Sequence, residues 1–148
     1  MVVEFNFQTR ITLTERTRLK EFILSIFKKE KKSPGTISFV FCSDEYLLEM
    51  NRSYLNHNYY TDIITFDLSA SPASPIDGEI YISADTVRDN AKRFRVSINK
   101  ELHRVIFHGI LHLCGYKDKN SQEQRIMSTK EDKYLSLYFP VPRNTVSP

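Results

Sequence analysis

The chain has 148 residues, 41% of them hydrophobic, with ten Phe, eight Tyr and a formal net charge of +3. That length and apolar content predict a single domain with a sizeable core, and the charge is compatible with nucleic acid but too mild to argue for it. No apolar run approaches the roughly 18 residues of a membrane span, the start Met1-Val2-Val3-Glu4-Phe5 lacks a signal peptide's charged and apolar regions, and two cysteines make no disulfide framework, so a soluble cytoplasmic protein is expected.

Val2 to Phe7 alternates, with Val3, Phe5 and Phe7 on one face, and reads as a strand. Thr14 to about Lys31 reads as a helix, its buried stripe made by Leu19, Phe22, Ile23, Ile26 and Phe27. Its end, Lys28-Lys29-Glu30-Lys31-Lys32, complements the helix dipole; RNA contact is the weaker reading of these lysines. Ser33-Pro34-Gly35 predicts a turn, and Thr36 to Cys42 a second strand with Ile37, Phe39 and Phe41 facing one way. Ser43 caps a short helix with Tyr46, Leu47 and Met50 as its buried face. Asn51 to Asn58 reads as polar and irregular, Thr61 to Leu68 as a β-branched strand, Ser69 to Asp77 as a loop, and Gly78 to Ser83 as another strand, antiparallel to the one before it.

From Ser83 the period changes to that of a helix with Ala84, Val87, Ala91 and Phe94 inward. Arg88, Lys92 and Arg95 form an outer stripe, a solvated surface and, of the two basic clusters, the better candidate for an RNA backbone track. Ser97 caps a helix that runs to Leu113, and Ser121-x-x-Gln124 predicts a capping box for a last helix with Ile126, Met127, Tyr134, Leu135 and Tyr138 as its apolar positions. From about residue 140 the chain reads as a loose tail. The order β-α-β-α-β-β-α-α-α predicts one α+β domain over residues 1–148: a single small mixed sheet packed with helices, the helix ending at Leu113 central.

That helix carries the chemistry. His108 and His112 are four apart, so both imidazoles fall on one face, close enough to share a metal ion. Gly115 suits the left-handed residue that ends a helix, and the chain turning back there brings Asp118 within reach as a third ligand. Two neutral nitrogens and a carboxylate leave a coordination position for water, as hydrolytic sites do. The alternative is a pair of partly buried histidines satisfied by backbone or side chains. Two features favour metal. Val105 to Cys114 is apolar nearly all round apart from the histidines, so these buried polar groups need a partner. Gly109 sits mid-helix at a cost of ~1 kcal/mol relative to alanine, which implies tight packing beside His108. Cys114 reads as a buried thiol, not a fourth ligand.

His108-Gly109-Ile110-Leu111-His112-Leu113-Cys114-Gly115-Tyr116 resembles the signature of the YbeY family, bacterial metal-dependent endoribonucleases of ribosomal RNA maturation. The family pattern continues Asp-His, with that His as third ligand; this chain reads Lys117-Asp118, which places Asp118 in the ligand position. Asn51-x-x-Tyr54 followed by Thr61-Asp62-Ile63-Ile64-Thr65-Phe66, Gly78-Glu79-Ile80 and Glu101-x-His103 are similar to further family patterns, so the resemblance spans roughly Asn51 to Asp118. The family's arginine after the tyrosine is Leu55 here, with Arg52 and Arg104 as possible substitutes in space. The spacing is distantly similar to that of metzincin proteases, whose glutamate base after the first His is replaced by Gly109.

The resemblance implies a zinc-dependent, single-strand-specific endoribonuclease acting in the 3′-end maturation of 16S ribosomal RNA and in ribosome quality control, with the small ribosomal subunit as partner. Zn²⁺, one per chain, is expected on His108, His112 and Asp118, other divalent metals being possible. Glu79 and Asp62 are candidate general bases, and Arg52 and Arg104 candidates for stabilising charge at phosphorus. Two alternatives stay open: a metalloprotease or other metal-dependent hydrolase, and a non-catalytic ribosome-associated RNA-binding protein with a structural metal.

Overall fold

The computed structural model describes residues 1–57 and 60–140. Its elements follow the expected order: β1 (Val2–Phe7), α1 (Arg16–Lys29), β2 (Pro34–Cys42), α2 (Asp44–Tyr54), β3 (Ile63–Asp67), β4 (Ile76–Ser83), α3 (Ala84–Phe94), α4 (Ile98–Leu113) and α5 (Ser121–Tyr138). The four strands form one mixed sheet in the order β1-β2-β4-β3. β1, β2 and β4 run parallel, and β3 pairs antiparallel with β4, Thr65 opposite Ile80. This is the α+β architecture that the pattern of apolar residues predicts.

Strand alternation sorts the sheet's two faces. Ile37, Phe39 and Phe41 of β2 and Ile80 and Ile82 of β4 join the main core with Leu19, Ile23 and Ile26 of α1 and the apolar residues of α4. Phe5 and Phe7 extend that face by stacking on Phe39 and Phe41, with ring centroids 5.5 and 4.9 Å apart. On the other face a smaller cluster of Cys42, Leu47, Met50 and Ile64, with Phe66 and Tyr81 against it, seats α2. The sheet therefore lies between α2 and the α1/α4 layer, and α4 is buried on most of its circumference.

Several boundaries differ from those the sequence predicts. Pro34 and Gly35 belong to β2, Pro34 opposite Ile76 ahead of a register shift, because the turn is made earlier by Lys31 at φ 58°. A proline is tolerated there as the first residue of its strand. α1 starts at Arg16, after Glu15 in the left-handed region. α2 continues through Asn51 to Tyr54, and Tyr46 stays exposed, stacked on Tyr81 at 6.4 Å. Phe94 is exposed, since α3 ends there and Arg95 takes the left-handed cap. Asn120, not Ser121, caps α5 by accepting from Glu123 N at 2.8 Å, and Ile126 faces outward. Asn58, the end of the stretch expected to be irregular, and the tail expected at 141–148 lie outside the described residues. Among the described residues no helix is long and apolar enough to cross a membrane.

Candidate metal centre

Ser97 opens α4 by accepting from Lys100 N at 3.0 Å. The helix then runs sixteen residues to Leu113 with Leu102, Val105, Ile106, Phe107, Ile110 and Leu111 fully buried. Gly109 is the residue that lets it approach the sheet: a Cβ there would lie 2.9 Å from Ile80 Cγ2 and 3.0 Å from Ile63 Cδ1. The tight packing expected beside His108 is thus contact with β3 and β4. Gly115 stops the helix at φ +106°, and nothing lies within 4 Å of where its Cβ would be, so backbone conformation alone requires glycine there.

The reversal that follows places three donor atoms in a triangle. His108 Nε2 and His112 Nε2 are 3.0 Å apart, and Asp118 Oδ2 lies 3.3 Å from the first and 3.4 Å from the second. Both Nδ1 atoms are engaged elsewhere. His112 Nδ1–H donates to the Tyr116 carbonyl at 2.9 Å, and His108 Nδ1–H to Glu131 at 2.5 Å. In the neutral rings both Nε2 lone pairs then point at the same place, beside a carboxylate. Without a cation that arrangement is repulsive. Metal bonds of about 2.0–2.1 Å at tetrahedral angles span edges of about 3.3–3.4 Å, so the triangle fits a small divalent ion. Imidazole and carboxylate suit several such ions. His108 is 15% exposed and Asp118 40%, which leaves the carboxylate side open.

That open side faces a groove of about 550 Å³, whose opposite wall is Thr61, Asp62, Thr65 and Asp67 of β3 and the loop before it. Burial raises the Asp62 carboxyl above its ordinary value, against the opposing charges of His108 and Arg104. For His108 itself burial favours the neutral ring, but the hydrogen bond and charge of Glu131 outweigh it and the net shift is upward. Proton and metal therefore compete for one electron-rich imidazole.

The remaining residues singled out in the sequence are placed differently. Glu79 lies opposite Phe66, on the α2 face of the sheet, and accepts a hydrogen bond from Tyr81. Strand alternation thus turns it away from the groove, which overturns its expected approach to the metal. Arg52 sits in the last turn of α2, 3.9 Å from Glu49, and does not line the groove. Arg104 is near but turned to other partners: it forks onto Glu101 at 2.8 and 2.6 Å, reaches Glu131 at 3.0 Å, and lies 3.7 Å from Asp62. It holds the carboxylates behind the site and does not line the groove. His103 lies in an aromatic cluster, stacked on Tyr138 at 5.0 Å, with Nδ1 at 2.7 Å from the Asn99 carbonyl. Cys114 is a buried free thiol at the end of α4.

Sequence reasoning missed Glu131. It was legible in principle: on α5 it lies four residues after Met127 and three before Tyr134, so it falls on the buried stripe, where an acidic side chain needs a partner.

A family model described as Endoribonuclease YbeY matches residues 4–138. A curated protein of that name from Cytophaga hutchinsonii is 49% identical over 133 residues, covering 90% of this chain and 92% of the relative. Another, from Parabacteroides distasonis, is 50% identical over 116 residues, covering 78% and 80%. The solution structure of TM1509 from Thermotoga maritima superposes with a TM-score of 0.61 at 28% identity, covering 99% of this chain and all of that one.

Proposed function

The chain belongs to the YbeY endoribonuclease family, and from that premise we propose that it is a metal-dependent endoribonuclease cleaving single-stranded RNA during ribosomal RNA maturation. One observation carries the reading: the three donor atoms 3.0–3.4 Å apart, with both Nδ1 atoms tied down, at the floor of an open groove. His108, His112 and Asp118 hold the ion, for which Zn²⁺ is our assignment from the donor set. Bound there, a divalent ion supplies Lewis acidity toward a phosphate oxygen and acidifies water. Asp62, on the opposite wall with its pKa raised by burial, is the group placed to take the proton from an attacking water. Arg104 and Glu131 keep His108 in the donating tautomer.

The protease reading is disfavoured at Gly109. A glutamate base there would have to pass through Ile80 and Ile63, whose atoms already lie 2.9–3.0 Å from a Cβ. A purely structural metal is disfavoured by the open fourth side, because structural sites are closed. We further assign the protein to the cytoplasm and the small ribosomal subunit, as one domain.

Metal analysis and cleavage assays on purified protein test the proposal, with a His108→Ala/His112→Ala variant beside the wild type. About one metal per chain is expected, lost in the variant, with single-stranded RNA cut and denatured casein untouched. Casein cleavage, or RNA cleavage that survives loss of both histidines, overturns it.

A further inference from the structure

Beside the reaction groove, with Asp67 and Leu113 lining both spaces, lies a second cavity of about 700 Å³ between the loop after β3 and the turn after α1. Its basic lining residues are Lys31 and Lys32, and the Lys32 charge acts on Cys114, which lines the same cavity. The end of α1 explains why these two lysines behave differently from their neighbours. Lys31 N donates to the Lys28 carbonyl at 3.1 Å and Lys32 N to the Phe27 carbonyl at 2.8 Å, with Lys31 left-handed at φ 58°. That closure leaves Lys28 and Lys29 on the helix, where they complement its dipole, and carries Lys31 and Lys32 past it to the second cavity.

A polyanion needs such a site. The reaction groove itself is walled by Asp62, Asp67 and Asp118, so an RNA strand meets negative charge on either side of the ion. Of the carboxylates, Asp67 also faces the second cavity, and its Oδ1 is held by Ser69 N at 2.9 Å. Two lysines lining a space that shares Asp67 and Leu113 with the reaction groove offset that repulsion for the next phosphates along the strand. The α3 stripe, favoured by sequence alone, is built otherwise. Arg88 donates to the Arg10 carbonyl, and none of Arg88, Lys92 and Arg95 lines either cavity.

We propose that the cavity beyond Leu113 is a substrate subsite, in which Lys31 and Lys32 bind backbone phosphates of the single-stranded RNA on one side of the scissile bond. This rests on the nuclease reading above. The test compares metal-loaded wild type, Lys31→Gln/Lys32→Gln and Lys28→Gln/Lys29→Gln, the last pair removing the same charge from the same helix end. Binding of a 2′-O-methyl RNA of about 12 nucleotides is measured against salt by fluorescence anisotropy. Losing two phosphate contacts should lower the slope of log K against log salt by about 1.4 and weaken low-salt binding about tenfold, and only in the Lys31/Lys32 variant. Equal losses in both variants, an unchanged slope, or no binding by the wild type overturns the proposal. RNA cleavage by the wild type is scored separately. Cleavage with an unchanged slope sinks the subsite alone, and the expected slopes without cleavage sink the nuclease reading alone. All four lysines are exposed, so melting temperatures should coincide and exclude misfolding as the cause.

Discussion

Nδ1 of His108 and Oε2 of Glu131 lie 2.5 Å apart across the α4–α5 contact, twenty-three residues apart in sequence. The carboxylate fixes the tautomer that leaves Nε2 free for a metal and increases the ring's electron density. Glu131 is in turn held by Arg104 at 3.0 Å, so the orientation of the ligand depends on two side chains that never reach the groove floor.

Glu131→Gln keeps the volume and removes the charge. Metal affinity, read by competition with a chromophoric chelator, should fall by about 10- to 100-fold. An unchanged dissociation constant beside a lowered melting temperature would make Glu131 a packing residue only.

Asp118 brings a negative charge where the family pattern has an imidazole. Asp118→His should therefore strengthen the acidification of water by the ion and shift the order of preference among divalent metals. The pH–rate profile of RNA cleavage and competition between Zn²⁺ and Mn²⁺ for the site check this. If affinity, selectivity and profile all stay the same, the aspartate has no electronic role.

Most of this site was legible because its signals are local. The i,i+4 histidines, the left-handed glycine after Leu113 and the return of the chain to Asp118 all fall within eleven residues, where helix geometry decides what meets what. The element order was legible for the same reason, since each stripe is a local pattern. Glu79 failed because choosing between two faces of a strand requires knowing which face meets α4, and both faces of this sheet are covered. Arg104 and Glu131 are partners across two helices, and no spacing rule links them. Phe94 and Ile126 show the limit of apolar periodicity at helix ends and rims, where a hydrophobic residue can stay exposed.

Gly109→Ala gains ~1 kcal/mol of helix propensity but forces a methyl against Ile80 and Ile63, an overpacking cost of typically ~1–3 kcal/mol. The net effect should be a lower melting temperature. In a double-mutant cycle with Ile80→Val, which shortens the Cδ1 arm, the two substitutions should couple favourably. Simple additivity would mean that the added methyl does not press on Ile80 Cδ1.

Burial pushes the thiols of Cys42 and Cys114 up to about 12, reinforced by Asp85 and Asp44 for the first and by Glu30 for the second. The reactive thiolate is then almost absent at pH 8. Iodoacetamide should leave both cysteines unmodified in the native protein and alkylate both in denaturant. Rapid native labelling of Cys114 would place it at an open, polar position beside the metal.

Glu30 ties α1 to the metal loop. Tyr116 Oη donates to it at 2.6 Å, Lys130 Nζ at 3.2 Å, and Tyr134 Oη also donates, while the carbonyl of the same Tyr116 receives His112 Nδ1–H. Burial alone raises the Glu30 carboxyl, but these donors more than offset it and the net value lies below the ordinary 4.5. A folded-state value below the unfolded one stabilises the protein in full above about pH 4.5, and that stability is lost as pH falls through the folded value. Glu30→Gln should therefore cost about 1.5–3 kcal/mol at pH 7, the range for hydrogen bonds to a charged group. The gap to wild type should hold constant above the ordinary carboxylate range and close as pH falls through the folded value, which lies below 4.5. Urea unfolding in excess chelator keeps metal linkage out of the comparison. A gap that does not depend on pH would mean that Glu30 acts through its shape and not its charge; the route from α1 through Tyr116 to His112 would then be steric.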